Sequence, residues 1–314
     1  MLNHILTNAK TVAISGHVRP DGDCVGSCMG LYQYIKTNFD GIKVDVYLED
    51  IPESFKPMIE ATKDILHETK QENYDLFIAL DCGELGRLGF SGELFEKAKT
   101  TLCIDHHVSN KAFADENYIV PEASSTSELV YRLMDKEKIT LEIAECLYLG
   151  IVHDTGVFQY SCTSPETMEI VADLMRKGIR ASEIVDKTFY EKTYAQNQIL
   201  GRALLESFLI MDGKCIVSWI TKSMMKFHGV TSKDLDGIVS QLRITKGVEV
   251  AILLYETGSQ EYKVSLRATG DVDVSKIAQY FGGGGHKKAA GVTMKGTVHD
   301  IVNNLSRQIH LQLS

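Results

Sequence analysis

The feature that most constrains the fold of this chain is a series of short apolar runs that each stop at an aspartate or a histidine. The clearest are Thr11–Ser15, which leads to Gly16 and His17, Tyr74–Leu80, which ends at Asp81, and Thr101–Ile104, which ends at Asp105. Near-continuous apolar runs of this length are typical of buried parallel strands. Because the carboxyl ends of such strands open into one crevice, we expect the polar residues at these ends to meet there.

Between and after these runs, apolar residues recur at helical spacing. Helices are predicted at Gly26–Asn38, Glu53–Leu66, Glu93–Ala98, Leu141–Val152, Ser164–Lys177 and Ala181–Lys187. One more helix is predicted to be capped within Ser124–Glu128 and to run through Met134. A strand is predicted at Lys43–Leu48. Buried strands that alternate with helices predict an α/β fold with an open, doubly wound and mostly parallel sheet.

The second half of the chain has a different pattern. Strands are predicted at Lys214–Thr221, Val248–Glu256 and Glu261–Ala268, and helices at Gln196–Phe208 and Val274–Phe281. Since 314 residues exceed what one core usually holds, we predict two domains. The first is expected at residues 1–190 and a second, smaller mixed α/β domain at residues 195–314. No Pro/Gly/Ser linker marks the boundary between them.

The composition is that of a globular protein, with 44% hydrophobic and 24% charged residues. No run of about 18 apolar residues and no signal-peptide pattern are present, so we expect a cytoplasmic protein that does not enter a membrane. The formal charge of −9 argues against a protein that coats duplex nucleic acid, but it leaves room for a small phosphorylated ligand. Seven cysteines without a CxxC pair indicate reduced, buried thiols rather than a zinc ribbon or a disulfide framework.

Four polar clusters stand at predicted strand or helix ends in the first domain: His17 with Asp21 and Asp23, Asp81, Asp105 with His106 and His107, and Asp154. Each cluster alone has a simpler interpretation. Pro20–Asp23 has turn composition, Asp81 and Asp154 suit a helix cap and a turn, and two adjacent histidines suit a solvated loop. Taken together at one edge of a sheet, the clusters predict a metal-binding cage.

The donor atoms of this cage indicate its chemistry. Carboxylate oxygens and imidazole nitrogens without a thiolate favour Mn²⁺ or Mg²⁺, with Zn²⁺, Co²⁺ or Fe²⁺ as alternatives. The donors exceed the needs of one ion, and a carboxylate such as Asp81 can bridge two ions about 3.5–4 Å apart. Such a pair suits hydrolysis of phosphate esters, with a bridging hydroxide as nucleophile and two cations to neutralise the developing charge. Adjacent histidines on an extended segment point to opposite sides, so we expect only one of His106 and His107 to be a ligand.

The tract Gly282–Gly285, followed by His286, is the low-complexity stretch of the second domain. Successive glycines expose backbone N–H groups and tolerate positive φ, which suits a phosphate-binding loop; a flexible loop without a role is the alternative. Arg267 ends a predicted strand, and its planar guanidinium can bind a phosphate in bidentate fashion. Lys287 and Lys288 are interpreted as solvated side chains, and Arg243 as a weaker candidate.

These motifs resemble those of the DHH-type phosphoesterases, a family named for the run seen here as Asp105-His106-His107. His17–Asp23 is similar to the first motif of the family, Leu80-Asp81 to the second, and Asp154-Thr155-Gly156 to the fourth. Gly282–Gly291 resembles the glycine-rich signature of the associated substrate domain, which is of the DHHA1 type. The resemblance covers nearly the whole chain.

The resemblance implies a role for each matching residue. His17, Asp21 and Asp81 would hold one Mn²⁺ ion, and Asp23, Asp81, His106 and Asp154 the other, with Mg²⁺ or another divalent ion as an alternative. His107 would act as a general acid or phosphate contact, and Asp105 would orient it. Substrate is expected in the cleft between the domains, held by Arg267, His286 and the glycines Gly283, Gly284 and Gly285. Cys24 and His153 depart slightly from the family pattern; they are interpreted as a packed thiol and a partly exposed imidazole that touch no ligand.

Among proteins with this two-domain layout, the resemblance is strongest to the nanoRNase/oligoribonuclease group. It implies hydrolysis of short oligoribonucleotides, pApA or 3′-phosphoadenosine 5′-phosphate. Two alternatives stay open: a cyclic di-AMP phosphodiesterase of the same family, and a nucleotide-binding regulator without catalysis. Expected partners are short oligoribonucleotides or dinucleotides, neither duplex nucleic acid nor a membrane, with a homodimer left open.

Overall fold

A parallel sheet organises the first half of the chain. In the computed structural model, which describes residues 2–70 and 73–313, its strands are β1 (Thr11–Ser15), β2 (Lys43–Tyr47), β3 (Ile65–Leu66), β4 (Leu76–Leu80), β5 (Thr100–Asp105) and β6 (Glu116–Ile119). The strand order is β3-β2-β1-β4-β5-β6, and neighbouring strands pair in parallel. The order reverses between β1 and β4, and open α/β sheets hold their ligands at such a reversal.

Helices cover both faces of this sheet. They are α1 (Leu2–Leu6), α2 (Gly22–Asn38), α3 (Gly92–Lys97), α4 (Thr126–Leu133), α5 (Leu141–Asp154), α6 (Pro165–Arg176) and α7 (Ala181–Val185). On β1, Val12 and Ile14 face the core that α2 and α5 complete, whereas Ala13 faces the core on the other side. A strand with both faces buried carries apolar residues at every position. The predicted doubly wound parallel fold is therefore confirmed.

Helices α2 and α5 approach each other closely because both carry a glycine at their contact. A Cβ added to Gly26 of α2 would lie 2.5 Å from the carbonyl oxygen of Cys146 and 2.7 Å from the backbone nitrogen of Gly150, both on α5. No other residue type fits at this separation. The contact places the first turn of α2 beside the last turn of α5.

The second half contains a mixed sheet. Its described strands are β7 (Phe208–Ile210), β8 (Cys215–Ile220), β9 (Val250–Gly258), β10 (Glu261–Ala268), β11 (Gly284–His286) and β12 (Ala289–Lys295), and its helices are α8 (Tyr194–Leu205), α9 (Lys222–His228), α10 (Ile238–Arg243), α11 (Val274–Tyr280) and α12 (Val298–Leu313). The strand order is β11-β12-β10-β9-β8-β7; β8 and β9 pair in parallel and the remaining neighbours antiparallel. The chain divides into two compact units, Met1–Glu191 and Lys192–Ser314.

The two faces of the second sheet are packed differently. One face, with Val264 and Leu266 of β10, is covered by the apolar sides of α11 and α12. On the opposite face, α8 and α10 pack over β8 and β9. The residues of β10 and β12 that point away from α11 and α12 are therefore the ones available for recognition in this unit.

Several predicted elements differ from those observed. The helix predicted at Glu53–Leu66 is wrong: the segment forms 3₁₀ turns at Glu53–Phe55 and Glu60–Asp64 and then β3. Pro57 interrupts the segment, since its nitrogen cannot donate to a helical hydrogen bond. The helix predicted at Gly26–Asn38 begins earlier, at Gly22, because Asp21 caps it.

Two further boundaries differ. The helix predicted at Gln196–Phe208 ends at Leu205, and Phe208 begins β7. The helix predicted at Ala181–Lys187 is α-helical only to Val185 and continues as a π-helical turn, Asp186–Tyr190. Across residues 2–70 and 73–313, no helix is both long and apolar enough to cross a membrane.

Candidate active site

His17 and Asp21 lie in the loop between β1 and α2. Asp21 is the N-cap of α2, and its Oδ1 accepts hydrogen bonds from the backbone N–H groups of Asp23 (3.2 Å) and Cys24 (3.1 Å). Its Oδ2 lies 3.5 Å from Nε2 of His17. Nδ1 of His17 lies 2.9 Å from the carbonyl oxygen of Val18, a contact that in the neutral ring leaves the Nε2 lone pair facing the carboxylates.

Asp81 stands directly after β4 and lies between two histidines. Its Oδ2 is 3.4 Å from Nε2 of His17, and its Oδ1 is 3.7 Å from Nε2 of His106. The residue is 2% exposed and has a φ of +52°, a left-handed conformation that costs a non-glycine residue about 1 kcal/mol or more. Each carboxylate oxygen thus faces a different set of donors, which is the arrangement a bridging ligand requires.

Asp23 is held by the first turn of α4. Its Oδ2 accepts a hydrogen bond from the N–H of Thr126 (2.6 Å), and its Oδ1 accepts one from the N–H of Ser127 (2.8 Å). The hydroxyl of Thr126 also donates to Oδ1 of Asp81 (3.3 Å). The sequence predictions gave the segment Ser124–Glu128 only a capping role, which Ser125 fulfils. The contacts to Asp23 and Asp81 were missed because they link distant parts of the chain.

Gly150 of α5 forms the wall behind Asp23. A Cβ at this position would lie 1.9 Å from Oγ of Ser127 and 2.8 Å from Oδ1 of Asp23. Both Ser127 and Asp23 are almost completely buried, so neither side chain has room to move aside. The absence of a side chain at Gly150 is therefore part of what positions the Asp23 carboxylate.

His106 and His107 lie on the same side of Asp81, so the expectation that they point to opposite sides is wrong. Their ring centroids are 5.0 Å apart, because β5 ends at Asp105 and the strand alternation no longer applies after it. Nε2 of His106 is 3.2 Å from Oδ2 of Asp154 and 4.0 Å from Oδ2 of Asp23. His106 thus completes a group with these two carboxylates.

His107 is oriented by a buried carboxylate. Its Nδ1 lies 2.7 Å from Oδ1 of Asp105, and Nδ2 of Asn110 donates to Oδ2 of Asp105 (2.6 Å) and to the carbonyl oxygen of Cys82 (3.2 Å). The hydrogen bond with Asp105 raises the pKa of His107. Burial alone would raise the pKa of Asp105, but the hydrogen bonds and charge of His107 and the hydrogen bond from Asn110 together outweigh it, and the pKa is lowered. The sequence predictions did not include Asn110, although an amide three residues after a histidine pair was the available signal.

Two carboxyl groups of the cluster, those of Asp23 and Asp154, have raised pKa values when no cation is bound. Burial, aided by the charge of Asp81, raises the pKa of Asp23 to about 7. Burial and the charge of Asp23 raise the pKa of Asp154 to about 8. Burial lowers the pKa of His106, but the surrounding carboxylates outweigh it and raise the pKa to about 9. Burial likewise lowers the pKa of His17, but its hydrogen bonds with Asp21 and Asp81 outweigh this effect and raise the pKa to about 11.

This cluster fits divalent cations. The ion-pair partners observed for Asp21, Asp23, Asp81 and Asp154 are the histidines of the cluster. Metal–ligand bonds near 2.0–2.2 Å place neighbouring ligands roughly 3.0–3.5 Å apart, close to the separations of 3.2–3.5 Å between the histidine nitrogens and their nearest metal-ligand carboxylates. The donor atoms form three groups, and within each group they lie within 4.8 Å of one another. The groups are His17 with Cys24 and Asp81, Asp81 with His106 and His107, and Asp23 with His106 and Asp154.

Cys24 lies near the donor atoms of the cluster, whereas His153 packs against aromatic rings. Cys24 is a buried thiol, as expected, and its Sγ lies within 4.8 Å of donor atoms of His17 and Asp81. His153 packs edge-on against Phe55 and Phe189, with ring centroids 5.1 and 5.5 Å away, and its Nε2 lies 2.9 Å from Oγ1 of Thr188. The ring of His153 is thus held by packing.

In the second unit, Arg267 and His286 lie in one row across three strands. Arg267 of β10 is paired with Ala289 of β12, and Ala289 is paired with His286 of β11. Directly paired residues share a face of the sheet, and two strand spacings separate the outer pair by roughly 9–10 Å of backbone. Ala289, which has a small side chain, lies between Arg267 and His286 in this row. The next row on this face contains Ser265, Gly291 and Gly284, which are also small.

The glycine tract is not a simple loop. Gly284 and Gly285 belong to the edge strand β11, because a hairpin pairs them with Gly291 and Ala290. Gly285 has a φ of +142°, and a Cβ there would lie 2.5 Å from the carbonyl oxygen of Ala289. A Cβ on Gly283 would lie 2.3 Å from the carbonyl oxygen of Gly291. The glycines allow the two strands to approach, which the sequence could not reveal without the pairing partner.

Comparison with known proteins places the chain in a family. The model of the DHH family, N-terminal domain, matches residues 11–151, and that of the DHHA1 domain matches residues 212–311. The bifunctional oligoribonuclease and PAP phosphatase NrnA of Thermus thermophilus is 31% identical, over 91% of this chain and 84% of that protein. The chain belongs to the DHH/DHHA1 phosphoesterases.

Other relatives agree with this DHH/DHHA1 assignment. The protein described as bifunctional oligoribonuclease and PAP phosphatase NrnA of Bacillus subtilis is 24% identical over 90% of this chain and 89% of its own length. A crystal structure of an exopolyphosphatase-related protein from Bacteroides fragilis is similar with a TM-score of 0.91 and 27% identity, covering 98% of this chain and 94% of that one. As a member of this family, the chain is a hydrolase of phosphoester bonds that acts on nucleotides.

Proposed function

We propose that this DHH/DHHA1 phosphoesterase uses two divalent cations to hydrolyse short nucleotidic substrates: oligoribonucleotides of a few residues, pApA and 3′-phosphoadenosine 5′-phosphate. The observation that carries the proposal is the cluster around Asp81, in which the buried carboxylates of Asp23 and Asp81 lie 3.4–4.0 Å from the Nε2 atoms of His17 and His106. The names of the relatives from Thermus thermophilus and Bacillus subtilis support the substrate class.

Two groups of residues would hold the cations, and they share Asp81. His17 and Asp21 would complete one group, and Asp23, His106 and Asp154 the other; the oxygen-rich donors favour Mn²⁺. When bound, such cations supply Lewis acidity and the positive charge that stabilises a phosphoryl group during hydrolysis. The protein fixes the positions of these donors before a substrate arrives, because Thr126, Ser127 and Gly150 constrain the carboxylate of Asp23.

His107 is proposed to contact the substrate phosphate and to donate a proton. Its Nδ1 is bonded to Asp105, which fixes the ring orientation and directs Nε2 away from that carboxylate. The same bond raises the pKa of His107, which favours the protonated ring that a general acid or phosphate contact needs. Asn110 holds Asp105 from the other side and acts as a positioning residue.

Arg267 and His286 are proposed to bind a second phosphate or the nucleotide next to the bond that is cleaved. Both stand in one row of the second sheet, with Ala289 between them. The backbone of the glycine tract, Gly283, Gly284 and Gly285, borders this row as an edge strand whose outer side has no partner among the described strands. A planar guanidinium and edge N–H groups together suit an anionic group of a short substrate.

The proposal is tested by comparing rates on pApA, 3′-phosphoadenosine 5′-phosphate, a 5′-phosphorylated three-residue RNA and cyclic di-AMP, each with Mn²⁺ and with a chelator. We expect Mn²⁺-dependent release of mononucleotides from pApA and the short RNA, and of phosphate from 3′-phosphoadenosine 5′-phosphate. Faster turnover of cyclic di-AMP than of any linear substrate would favour the cyclic dinucleotide phosphodiesterase instead. Tight nucleotide binding without turnover of any substrate would favour a regulator and would exclude the enzymatic proposal.

A further inference from the structure

The thiol of Cys24 lies within the metal centre rather than beside it. A ring nitrogen of His17, Sγ of Cys24 and a carboxylate oxygen of Asp81 lie within 4.8 Å of one another, and all three residues are buried. The donors of Asp23, His106 and Asp154 meet the same limit in their own group. Cys24 is therefore close enough to His17 and Asp81 to share a cation with them.

Three local features hold the sulfur in this position. Cys24 is in the first turn of α2, where its N–H donates to Oδ1 of Asp21, the cap of the helix. Its Sγ is 3.9 Å from the carbonyl oxygen of His17. A Cβ added to Gly16 would lie 2.3 Å from this sulfur, so the glycine before His17 leaves the space that the sulfur occupies. Cys24 is 0% exposed, and no bulk solvent separates it from the carboxylates.

The donor atoms on the two sides of Asp81 differ in chemical type. His17, Asp21, Asp81 and Cys24 provide one nitrogen, two carboxylate groups and one sulfur, a four-donor set of the kind that Zn²⁺ and Co²⁺ bind in tetrahedral sites. The other side has one imidazole and carboxylates only, which suits harder cations such as Mn²⁺ and Mg²⁺. Because the thiol is near only one of the two cation positions that Asp81 would bridge, the two positions differ in the cations that they prefer.

We propose that the His17 side of the centre is a thiophilic cation site in which Cys24 is a ligand, so that it takes Zn²⁺, Co²⁺ or Cd²⁺ in preference to Mn²⁺. The inference rests on the two-cation centre of the proposed function and deepens it by assigning different cations to its two positions. On binding, the S–H proton passes to solvent as the sulfur–metal bond forms, and no oxidant is needed.

The test uses the full chain, stripped with a chelator and titrated with Co²⁺, and reads the near-ultraviolet thiolate-to-cobalt charge-transfer absorption. We expect this band in the wild-type protein and its loss in Cys24→Ser, which keeps the shape of the side chain, and in Cys24→Ala. Cys28→Ser is the matched control, since Cys28 is buried one turn later on α2 but belongs to none of the three donor groups among the described residues. It should retain the band.

A competition titration gives a second readout that does not depend on activity. Replacing Cys24 by serine should weaken Cd²⁺ binding by more than about tenfold and change Mn²⁺ binding far less, because only the thiophilic ion loses a preferred donor. Stoichiometric Co²⁺ binding without the charge-transfer band, or a band that survives in both Cys24 variants, would overturn the inference and leave the proposed function intact. Failure of the wild-type protein to bind any divalent cation would overturn both.

Discussion

The proposed functional residues of the two units are held in opposite ways. In the first unit, Asp23, Asp81 and Asp105 are at most 2% exposed and each is fixed by backbone or side-chain contacts. In the second unit, His286 is exposed on an edge strand and Arg267 is half-buried on the face of the sheet opposite α11 and α12. Reactive groups need fixed positions away from water, whereas recognition tolerates surface groups. Substitutions in the second unit are therefore expected to change substrate preference without disturbing the centre.

The strongest test of this comparison is Asp81→Asn, which keeps the volume of the side chain but removes the charge shared by both donor groups. We expect turnover with Mn²⁺ to fall by at least about a thousandfold, the order expected when a principal electrostatic stabiliser is lost. Steady-state rates and a Mn²⁺ titration by calorimetry would measure the effect. Asp40→Asn, at an exposed position, is the control; activity near the wild-type level in Asp81→Asn would refute a bridging role.

Gly150→Ala tests whether the buried centre depends on exact placement of Asp23. The new Cβ would collide with Ser127 and crowd Oδ1 of Asp23, so the carboxylate must shift. A displacement of about 1 Å at a catalytic centre can cost on the order of 100-fold in rate, and Mn²⁺ affinity should fall as well. The matched control is Gly201→Ala on α8, where a Cβ meets nothing within 4 Å. It should leave activity unchanged and stabilise the helix by about 0.5–1 kcal/mol.

Gly285→Ala tests whether the proposed substrate-binding row of Arg267 and His286 depends on the shape of the neighbouring backbone. With a φ of +142° and a carbonyl oxygen 2.5 Å from the new Cβ, the β11–β12 hairpin must distort next to His286. We expect KM for short nucleotides to rise about tenfold, which corresponds to about 1.4 kcal/mol, while the Mn²⁺ affinity of the centre stays at the wild-type value. Gly284→Ala meets nothing within 4 Å and should raise KM less. Equal loss of Mn²⁺ binding in Gly285→Ala would contradict independent roles for the two units.

The last expected effect is on the pH dependence of the free energy of unfolding when no cation is bound. The folded chain holds protons that the unfolded chain releases, because the pKa values of Asp23, Asp154 and His106 are raised to about 7, 8 and 9. Stability should therefore fall as pH rises from about 4 to 9, by about 1.4 kcal/mol per pH unit for each extra proton.

Thermal unfolding at pH 6, 7, 8 and 9 measures this trend, with a chelator and with Mn²⁺. We expect Tm to decrease with pH in the chelator and the Mn²⁺-induced increase in Tm to grow with pH, because cations and protons compete for the same donors. Asp23→Asn is the comparison variant and should show a shallower decline. An increase in Tm between pH 6 and pH 9 in the presence of the chelator would contradict the prediction.

Much of the first unit could be predicted from the sequence because two local signals coincide. Apolar runs identify buried strands, and the polar residue after each run marks the edge where ligands meet, as Asp81 after β4 illustrates. The doubly wound sheet follows from the alternation of strands and helices. The same reasoning failed for Glu53–Leu66, where apolar spacing suggested a helix but Pro57 prevents one.

What the sequence did not reveal depends on contacts between distant segments. The hydrogen bonds from the N–H groups of Thr126 and Ser127 to Asp23 connect residues about one hundred positions apart in the sequence. The strand formed by Gly284–His286 exists only through its pairing with Ala289–Gly291. Cys24 was assigned as a packed thiol because its distance to His17 and Asp81 depends on the space left by Gly16. Local patterns carry no information about such distances.

The close contact of α2 and α5 has a consequence for how the protein matures. Gly26 and Gly150 let the start of one helix dock against the end of the other, and these helix ends carry Asp23 and Asp154. A chain leaving the ribosome therefore cannot assemble the complete centre until residue 154 has emerged and α5 has docked. Cation loading is expected to follow folding of the whole first unit, and partial translation products would compete poorly for the cellular metal supply.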